Sequence, residues 1–348
     1  MAITFGTETV FRYTERLKLD KKDTKIIYEL YKNARVPVSI IAKKVGLSKD
    51  TIKYRMRRME QRGLILGYTA VINMNRLGYH WNILLLQTKF ENLEKENAFI
   101  EFLQSSKNVL KVMKCSGKWD YQFDVIFSSL LEFNDLIKKI KELTLLLDFS
   151  VLNCLKEIKY AHVPPVFFRD LRGEFVQTPA GRVDESKEAL KLDDTDLHII
   201  KSLVKNSRIS LLEISKTVRL SPDATNNRIK RLEKKQILFG CIPVINTALL
   251  FDEHWIFVQT STLPPAFLSY LKQHKNIQAL YETGYQYDLF FWISTTSIGE
   301  YEVILSEIKR LFSHVIIRID SALALREYKY TEFPDVAIEG RLQNGTRI

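Results

Sequence analysis

The sequence predicts an α+β fold in which two winged helix-turn-helix domains alternate with two ferredoxin-like β-α-β-β-α-β domains. Three observations predict it. Residues 17–73 recur at 190–246 with a constant offset of 173 and no gap, so the chain is a duplication. Within each copy the apolar period shortens from about 3.6 residues to 2, so helices give way to strands. Each copy also opens with three short capped helices, with a tight turn between the second and third.

The duplication reads LKLDKKDTKIIYELYKNARV against LKLDDTDLHIIKSLVKNSRI, and 24 of the 57 aligned positions are identical. Composition alone would give roughly 3 or 4. Asp20/Asp193, Asn33/Asn206, Arg35/Arg208, Ser48/Ser221, Arg55/Arg228, Arg58/Arg231 and Glu60/Glu233 are among the identical pairs. The likeness continues more weakly. His80-Trp81 recurs as His254-Trp255, and Glu157-x-Lys159-Tyr160-x-x-x-Pro164 as Glu327-x-Lys329-Tyr330-x-x-x-Pro334. Each unit therefore runs about 150 residues. The expected domains are 17–74 and 79–163, then a linker over 164–189, then 190–247 and 253–334. The linker carries Pro164, Pro165, Gly173, Pro179 and Gly181. Its Phe167, Phe168 and Phe175 suggest that it packs on something.

In the first copy, 21–33 reads as a helix capped by Asp20, with Ile26, Ile27 and Leu30 inward. A shorter helix follows at 38–45 and Gly46 ends it. Ser48 caps a third helix that runs to Arg62, and Gly63 stops it. Segment 64–72 reads as extended, a wing. Strands are then expected at 81–88, 109–116, 121–127 and 149–158, with helices at 95–105 and 131–143. That order is the split βαβ. The second copy repeats it with strands at 255–260, 277–283, 287–294 and 315–325 and helices at 266–273 and 298–311.

Composition narrows the function. Of 348 residues, 52 are Lys or Arg and 41 are Asp or Glu, so the net charge is 52 − 41 = +11. A basic balance favours a polyanionic partner. No apolar run approaches the ~18 residues of a membrane span. The opening MAITFGTETVFRYTERLKLD lacks an apolar signal core. Cys115, Cys154 and Cys241 are odd in number, widely spaced and without a CxxC. They fit buried thiols in a reducing cytoplasm rather than a disulfide scaffold or zinc site. No Ser/His/Asp set, metal spacing or phosphate loop is present, so no cofactor is expected.

The third helix carries the chemistry. Ile52, Met56 and Met59 share one face; Asp50, Lys53, Tyr54, Arg57 and Gln61 lie opposite; Arg55, Arg58 and Arg62 form a flank. From Lys49 to Arg62 there are six basic and two acidic residues. Such a face is either a solvated surface or a groove reader, with side chains reaching base edges and flanking arginines meeting phosphates. In the second copy Thr225, Ile229 and Leu232 face inward and Arg228, Arg231 and Lys235 form the flank. The outer residues are Asp223, Asn226, Asn227, Lys230 and Lys234, so Lys53 has become Asn226 and Tyr54 has become Asn227. Ser221-Pro222 is a good helix start. The base-reading residues thus differ between copies while the flank is kept.

The segment LDKKDTKIIYELYKNARVPVSIIAKKVGLSKDTIKYRMRRMEQRGLILGYTAVIN resembles the N-terminal winged helix-turn-helix of Lrp/AsnC (feast/famine) transcription regulators. The following half resembles that family's effector-binding and oligomerisation domain. The duplication departs from the usual single-unit chain and is similar to double-length forms found mainly in archaea. The resemblance implies binding of double-stranded DNA, modulated by an amino acid or other small effector. DNA would be held by Ser48, Lys49, Asp50, Thr51, Lys53, Tyr54, Arg55, Arg57, Arg58 and Arg62, and by Ser221, Pro222, Asp223, Asn226, Asn227, Arg228, Lys230, Arg231 and Lys235. It also implies an internal pseudo-dimer, with or without further homo-oligomers. The family's Gly-x-aromatic-Asp turn is matched by Gly117, Trp119 and Asp120, and by Gly284, Tyr287 and Asp288 with one extra residue. These would border an effector site, or form a plain turn with a packed aromatic. Two rival functions remain. Sirohaem decarboxylases resemble the same two-domain family but carry a His on the strand before this turn, where VLKVMKCSG and IQALYETG have none. An architectural protein would bind DNA without sequence preference.

Overall fold

The computed structural model describes residues 9–10, 16–171 and 189–331. The linker residues Phe175, Pro179 and Gly181 and the terminal Pro334 lie outside these. After a two-residue strand β1 (Thr9–Val10), the first head has α1 (Lys21–Lys32), α2 (Val38–Val45) and α3 (Lys49–Gln61). Strand β2 (Ile65–Ile72) follows. The first ferredoxin-like half is β3 (His80–Lys89), α4 (Leu93–Ser105), β4 (Val109–Gly117), β5 (Tyr121–Phe127), α5 (Leu130–Leu143) and β6 (Leu145–Tyr160). The second head is α6 (Asp194–Lys205), α7 (Leu211–Val218), α8 (Pro222–Lys234) and β7 (Leu238–Ile245). The second half is β8 (Asp252–Thr260), α9 (Pro265–Gln273), β9 (Ile277–Tyr285), β10 (Leu289–Thr295), α10 (Ile298–Leu311) and β11 (Ile316–Tyr330).

Each half has the strand order of the split βαβ, and the two join edge to edge at both seams. The order is β4-β5-β3-β6-β9-β10-β8-β11, and β11 also pairs with β4, so eight strands close a barrel. Closure explains why the strands read as nearly continuous apolar runs. Trp81, Ile83 and Leu85 of β3 enter the interior, while Leu84 and Leu86 pack outward under α4 with Phe99, Ile100 and Leu103. Trp255 and Phe257 of β8 likewise point in, and Ile256 and Val258 meet Phe267 and Leu271 of α9. The interior is filled by Trp119, Tyr281, Tyr287, Phe290 and Trp292 among others. Both seam strands run longer than the sequence periodicity indicates: β6 begins at Leu145, where its added residues pair with β3 of the same unit, and β11 extends to Tyr330, where its added residues pair with β4 of the other unit.

The expected wing is a single strand in each head. β2 pairs antiparallel with β7, from Ile65 opposite Ile245 to Ile72 opposite Leu238, forming a ribbon shared by both units. Alternation in 64–72 shows a half-buried strand but not its partner. The linker begins as a 3-10 turn, Pro165–Phe168. Phe168 is buried there against Tyr28 and Tyr31 of α1. All three cysteines are buried thiols, and burial pushes the Cys115 thiol up. Among the described residues, no helix is long and apolar enough to cross a membrane, and no His, Cys, Asp and Glu cluster could hold a metal ion.

Candidate nucleic-acid interface

Two helices with exposed outer faces, α3 and α8, carry the residues expected to meet DNA. Each starts on a serine cap. Ser48 Oγ accepts from the Thr51 N–H at 3.1 Å, and Ser221 Oγ accepts from the Ala224 N–H at 3.2 Å. Pro222 occupies the first turn of α8, where its missing N–H costs nothing. Ile52, Met56 and Met59 bury α3 in its head, and Thr225, Ile229 and Leu232 bury α8. Ser48, Lys49, Asp50, Lys53, Tyr54, Arg57 and Arg62 are exposed, and Thr51 is half-buried. Tyr54 is 65% exposed, unusual for an aromatic ring with no groove partner. Lys53 lies 3.7 Å from Asp50. On α8, Ser221, Pro222, Asp223, Asn227, Lys230 and Lys235 are exposed, and Asn226 is half-buried. Both heads thus present a helix N-terminus and an outward polar face, which suits a major groove.

Four of the flanking arginines, Arg55, Arg58, Arg228 and Arg231, bond aspartates of their own heads, which their spacing alone does not suggest. Arg55 donates to Asp20 Oδ2 at 2.6 Å and to Asp23 Oδ1 at 2.8 Å, and Arg58 donates to Asp23 Oδ2 at 2.8 Å. The second head repeats the pattern. Arg228 reaches Asp193 and Asp196, and Arg231 reaches Asp196 at 2.6 Å. These bonds tie the recognition helix to the first turn of the first helix. Burial alone would raise the Asp20 carboxyl, but the bonds from Arg55 and the Asp23 N–H outweigh it and hold the pKa below the usual carboxylate range. Asp193 is lowered against its burial in the same way, by Arg228 and the Asp196 N–H. The Arg55 side chain is only 20% exposed. Sequence reasoning missed these partners, although Asp20 and Asp193 recur 35 residues before Arg55 and Arg228 in both copies.

The turn residues expected near an effector are engaged in the barrel. Asp120 Oδ2 accepts from the Thr88 N–H at 2.8 Å, and Asp288 Oδ2 accepts from the Thr260 N–H at 2.6 Å. Each carboxylate closes its turn onto the neighbouring strand, and both residues are half-buried. Trp119 and Tyr287 are fully buried, and Tyr287 donates to Asp320 at 2.5 Å. Gly117 has φ +127, and a Cβ there would meet Ser321 O at 2.6 Å, so glycine is required where β4 meets β11. Its counterpart Gly284 has no such constraint; Tyr285 takes the positive φ of 78 instead. The extra residue in the second turn therefore changes its backbone.

Two cavities matter. One of about 50 Å³ lies between the barrel mouth and the ribbon, lined by Lys111, Glu253, Trp292, Glu327 and Asn246 among others. Lys111 sits 4.5 Å over the Trp292 ring and 3.7 Å from Glu327. Burial pushes Glu327 up to about 7 despite that lysine. The other, about 720 Å³, is an outer cleft lined by His80, Phe127, Phe133, Phe149, Asn153 and Tyr285, with no Lys or Arg in its wall.

Comparison with known proteins agrees with this architecture. Residues 19–65 match the family described as winged helix-turn-helix DNA-binding, and 192–233 match the AsnC-type helix-turn-helix domain. The chain is 34% identical to a proline dehydrogenase transcriptional activator of Rhodobacter capsulatus, over 34% of this chain and 78% of that one. It is 31% identical to a leucine-responsive regulatory protein of Rhizobium meliloti, over 37% of this chain and 82% of that one. Each relative thus spans about one of the two units. Among solved structures, the siroheme decarboxylase NirDL shares the fold at a TM-score of 0.62 and 14% identity, covering 93% of this chain and 98% of its own. Two helix-turn-helix heads, each followed by a split βαβ half, together with relatives matched over most of their own length, place the chain in the Lrp/AsnC family of transcription regulators, in double-length form.

Proposed function

We propose that the protein binds double-stranded DNA in a sequence-specific way through α3 and α8, reading two unlike half-sites. The carrying observation is that the heads share their Asp20/Asp193 and Ser48/Ser221 caps and their aspartate–arginine clasps but differ on the outer helix face, with Lys53 and Tyr54 replaced by Asn226 and Asn227. Asparagine can bond adenine bidentately, whereas lysine prefers guanine acceptors. Phosphate contacts fall to exposed cations: Lys49, Arg57 and Arg62 on one head, Lys230 and Lys235 on the other. Arg55, Arg58, Arg228 and Arg231 support the interface by fixing each helix.

Footprinting on genomic fragments tests this reading. A few local protected sites support it, and uniform protection would point to an architectural protein. Arg57→Ala should weaken binding to every sequence and lower the salt slope by about 1, as loss of one phosphate contact does.

A small effector, with an amino acid as the class, belongs to the same proposal. The half-buried Asp120 and Asp288 carry the carboxylates on those turns suited to an ammonium. A thermal-shift screen of amino acids tests it, since a ligand of the native state alone must raise the melting temperature. We place the protein in the cytoplasm with its DNA. The enzyme reading rests on fold likeness alone. A polycarboxylate tetrapyrrole needs cations and room, yet the 50 Å³ inner cavity is too small and the outer cleft has no Lys or Arg in its wall.

A further inference from the structure

The turns between the first two helices of each head meet across the pseudo-twofold axis and are built alike. In the first head, Asn33 Oδ1 accepts from the Arg35 N–H at 2.9 Å. In the second, Asn206 Oδ1 accepts from the Arg208 N–H at 3.0 Å. Each turn then reaches into the other head. Arg35 Nη1 donates to Ser207 O at 2.5 Å. Arg208 Nη1 donates to Ala34 O, and also to Val36 O at 3.3 Å. The backbone repeats the exchange: the Ala34 N–H donates to Cys241 O of β7 at 2.7 Å, and the Ser207 N–H donates to Tyr68 O of β2 at 2.9 Å. Ala34 and Ser207 are fully buried.

A line of contacts runs from this junction to a recognition helix. The Arg208 guanidinium lies 5.3 Å over the Tyr68 ring. Tyr68 donates its hydroxyl to Glu60, on α3, at 2.8 Å. Arginine suits the role, because a planar charged fork can stack on a ring and donate to carbonyls in one fixed geometry. A bond from a charged donor is also stronger and shorter than a neutral one. Neither arginine is on the DNA-facing side of α3 or α8.

We infer that Arg35 and Arg208 are positioning residues that clasp the two heads into one rigid body and thereby set the spacing and angle between α3 and α8. The inference rests on the DNA-binding reading only for its consequence, which is a fixed distance between half-sites. Two heads hung on tethers would tolerate an extra base pair. A rigid pair cannot, since one added pair turns the second half-site about 34° around the duplex axis.

Distance measurement between spin labels tests the clasp without DNA. Lys43→Cys and Lys216→Cys place labels at equivalent exposed positions of α2 and α7, while the three native thiols are buried. The full chain should give one narrow distance distribution. Arg35→Ala with Arg208→Ala should widen it at least about twofold. Arg35→Lys with Arg208→Lys, which keeps charge and stem but loses the fork, should widen it too and serves if the alanine pair does not fold. An unchanged narrow distribution in these variants overturns the clasp. A second arm uses the best duplex selected from random DNA by the full chain, with one base pair inserted between half-sites. The unmodified protein should lose about tenfold or more in affinity, and the alanine pair less than about threefold. Equal losses would overturn the inference while leaving DNA binding intact. If no duplex is bound, the DNA reading fails and the label distances alone decide the clasp.

Discussion

Arg55 and Arg58 show how a charged side chain is assigned by its neighbours rather than by its helix face. Helix geometry puts them beside the outward face, where phosphates would lie, but Asp20 and Asp23 hold them first. Asp23 is 1% exposed, so removing Arg55 leaves a buried carboxylate short of a partner. Arg55→Ala should cost about 1–3 kcal/mol in urea unfolding of the full chain and leave the salt slope of DNA binding nearly unchanged, the reverse of Arg57→Ala. A lowered slope with full stability would restore the phosphate role. His254 offers a second residue-scale test. It is buried, stacked 3.8 Å from the Tyr301 ring, and burial pushes its pKa down to about 4. Between about 6.5 and about 4 the unfolded chain takes up the proton more readily. Stability is therefore full above pH 6.5 and is lost as pH falls toward 4, by at most about 3 kcal/mol. His254→Phe should flatten that acid limb, and an unchanged limb would show that His254 does not cause it. The sequence showed the His-Trp repeat but could not show that one histidine faces solvent and the other lies under α10, because identical residues here sit in different packing.

At the scale of elements, helices and caps were legible because their signals are local. The first helix ends at Lys32 rather than 33, α2 and α10 span the expected residues, and both recognition helices start on the expected serines. The second head is less usual at its helix ends. Gly46 and Gly63 take positive φ in the first head, and their counterparts Arg219 and Gln236 keep φ 54 without being glycine. A left-handed conformation costs an ordinary residue roughly 1 kcal/mol. Arg219→Gly and Gln236→Gly should each raise the second head's stability by up to about that amount, read as a higher melting temperature. A lower melting temperature would show that those side chains stabilise more than the backbone costs. Strand ends and partners were less legible. Segment 64–72 reads as a wing from its own residues, yet β2 pairs with β7 some 170 residues away. Strands β6 and β11 outrun their predicted ends for the same reason, since their last residues are ordered by the other unit.

At the scale of the whole molecule, duplication lets one chain build what otherwise takes two. The barrel closes only because β6 meets β9 and β11 meets β4, and its aromatic interior draws on both units. The two heads share one ribbon, so they are joined directly and not only through the barrel. Covalent joining frees the copies from identity, and the outer faces of α3 and α8 are among the parts that differ. Each good base contact discriminates by about 1–3 kcal/mol, so two altered positions make the half-sites distinguishable. The central claim is tested most directly by selecting binding sites from random DNA with the full chain and measuring the molar mass of the resulting complex. One chain on two unlike half-sites at one fixed spacing is the predicted result, and Asn226→Lys with Asn227→Tyr should draw the second half-site toward the first. A perfect palindrome bound by one unmodified chain would contradict the account.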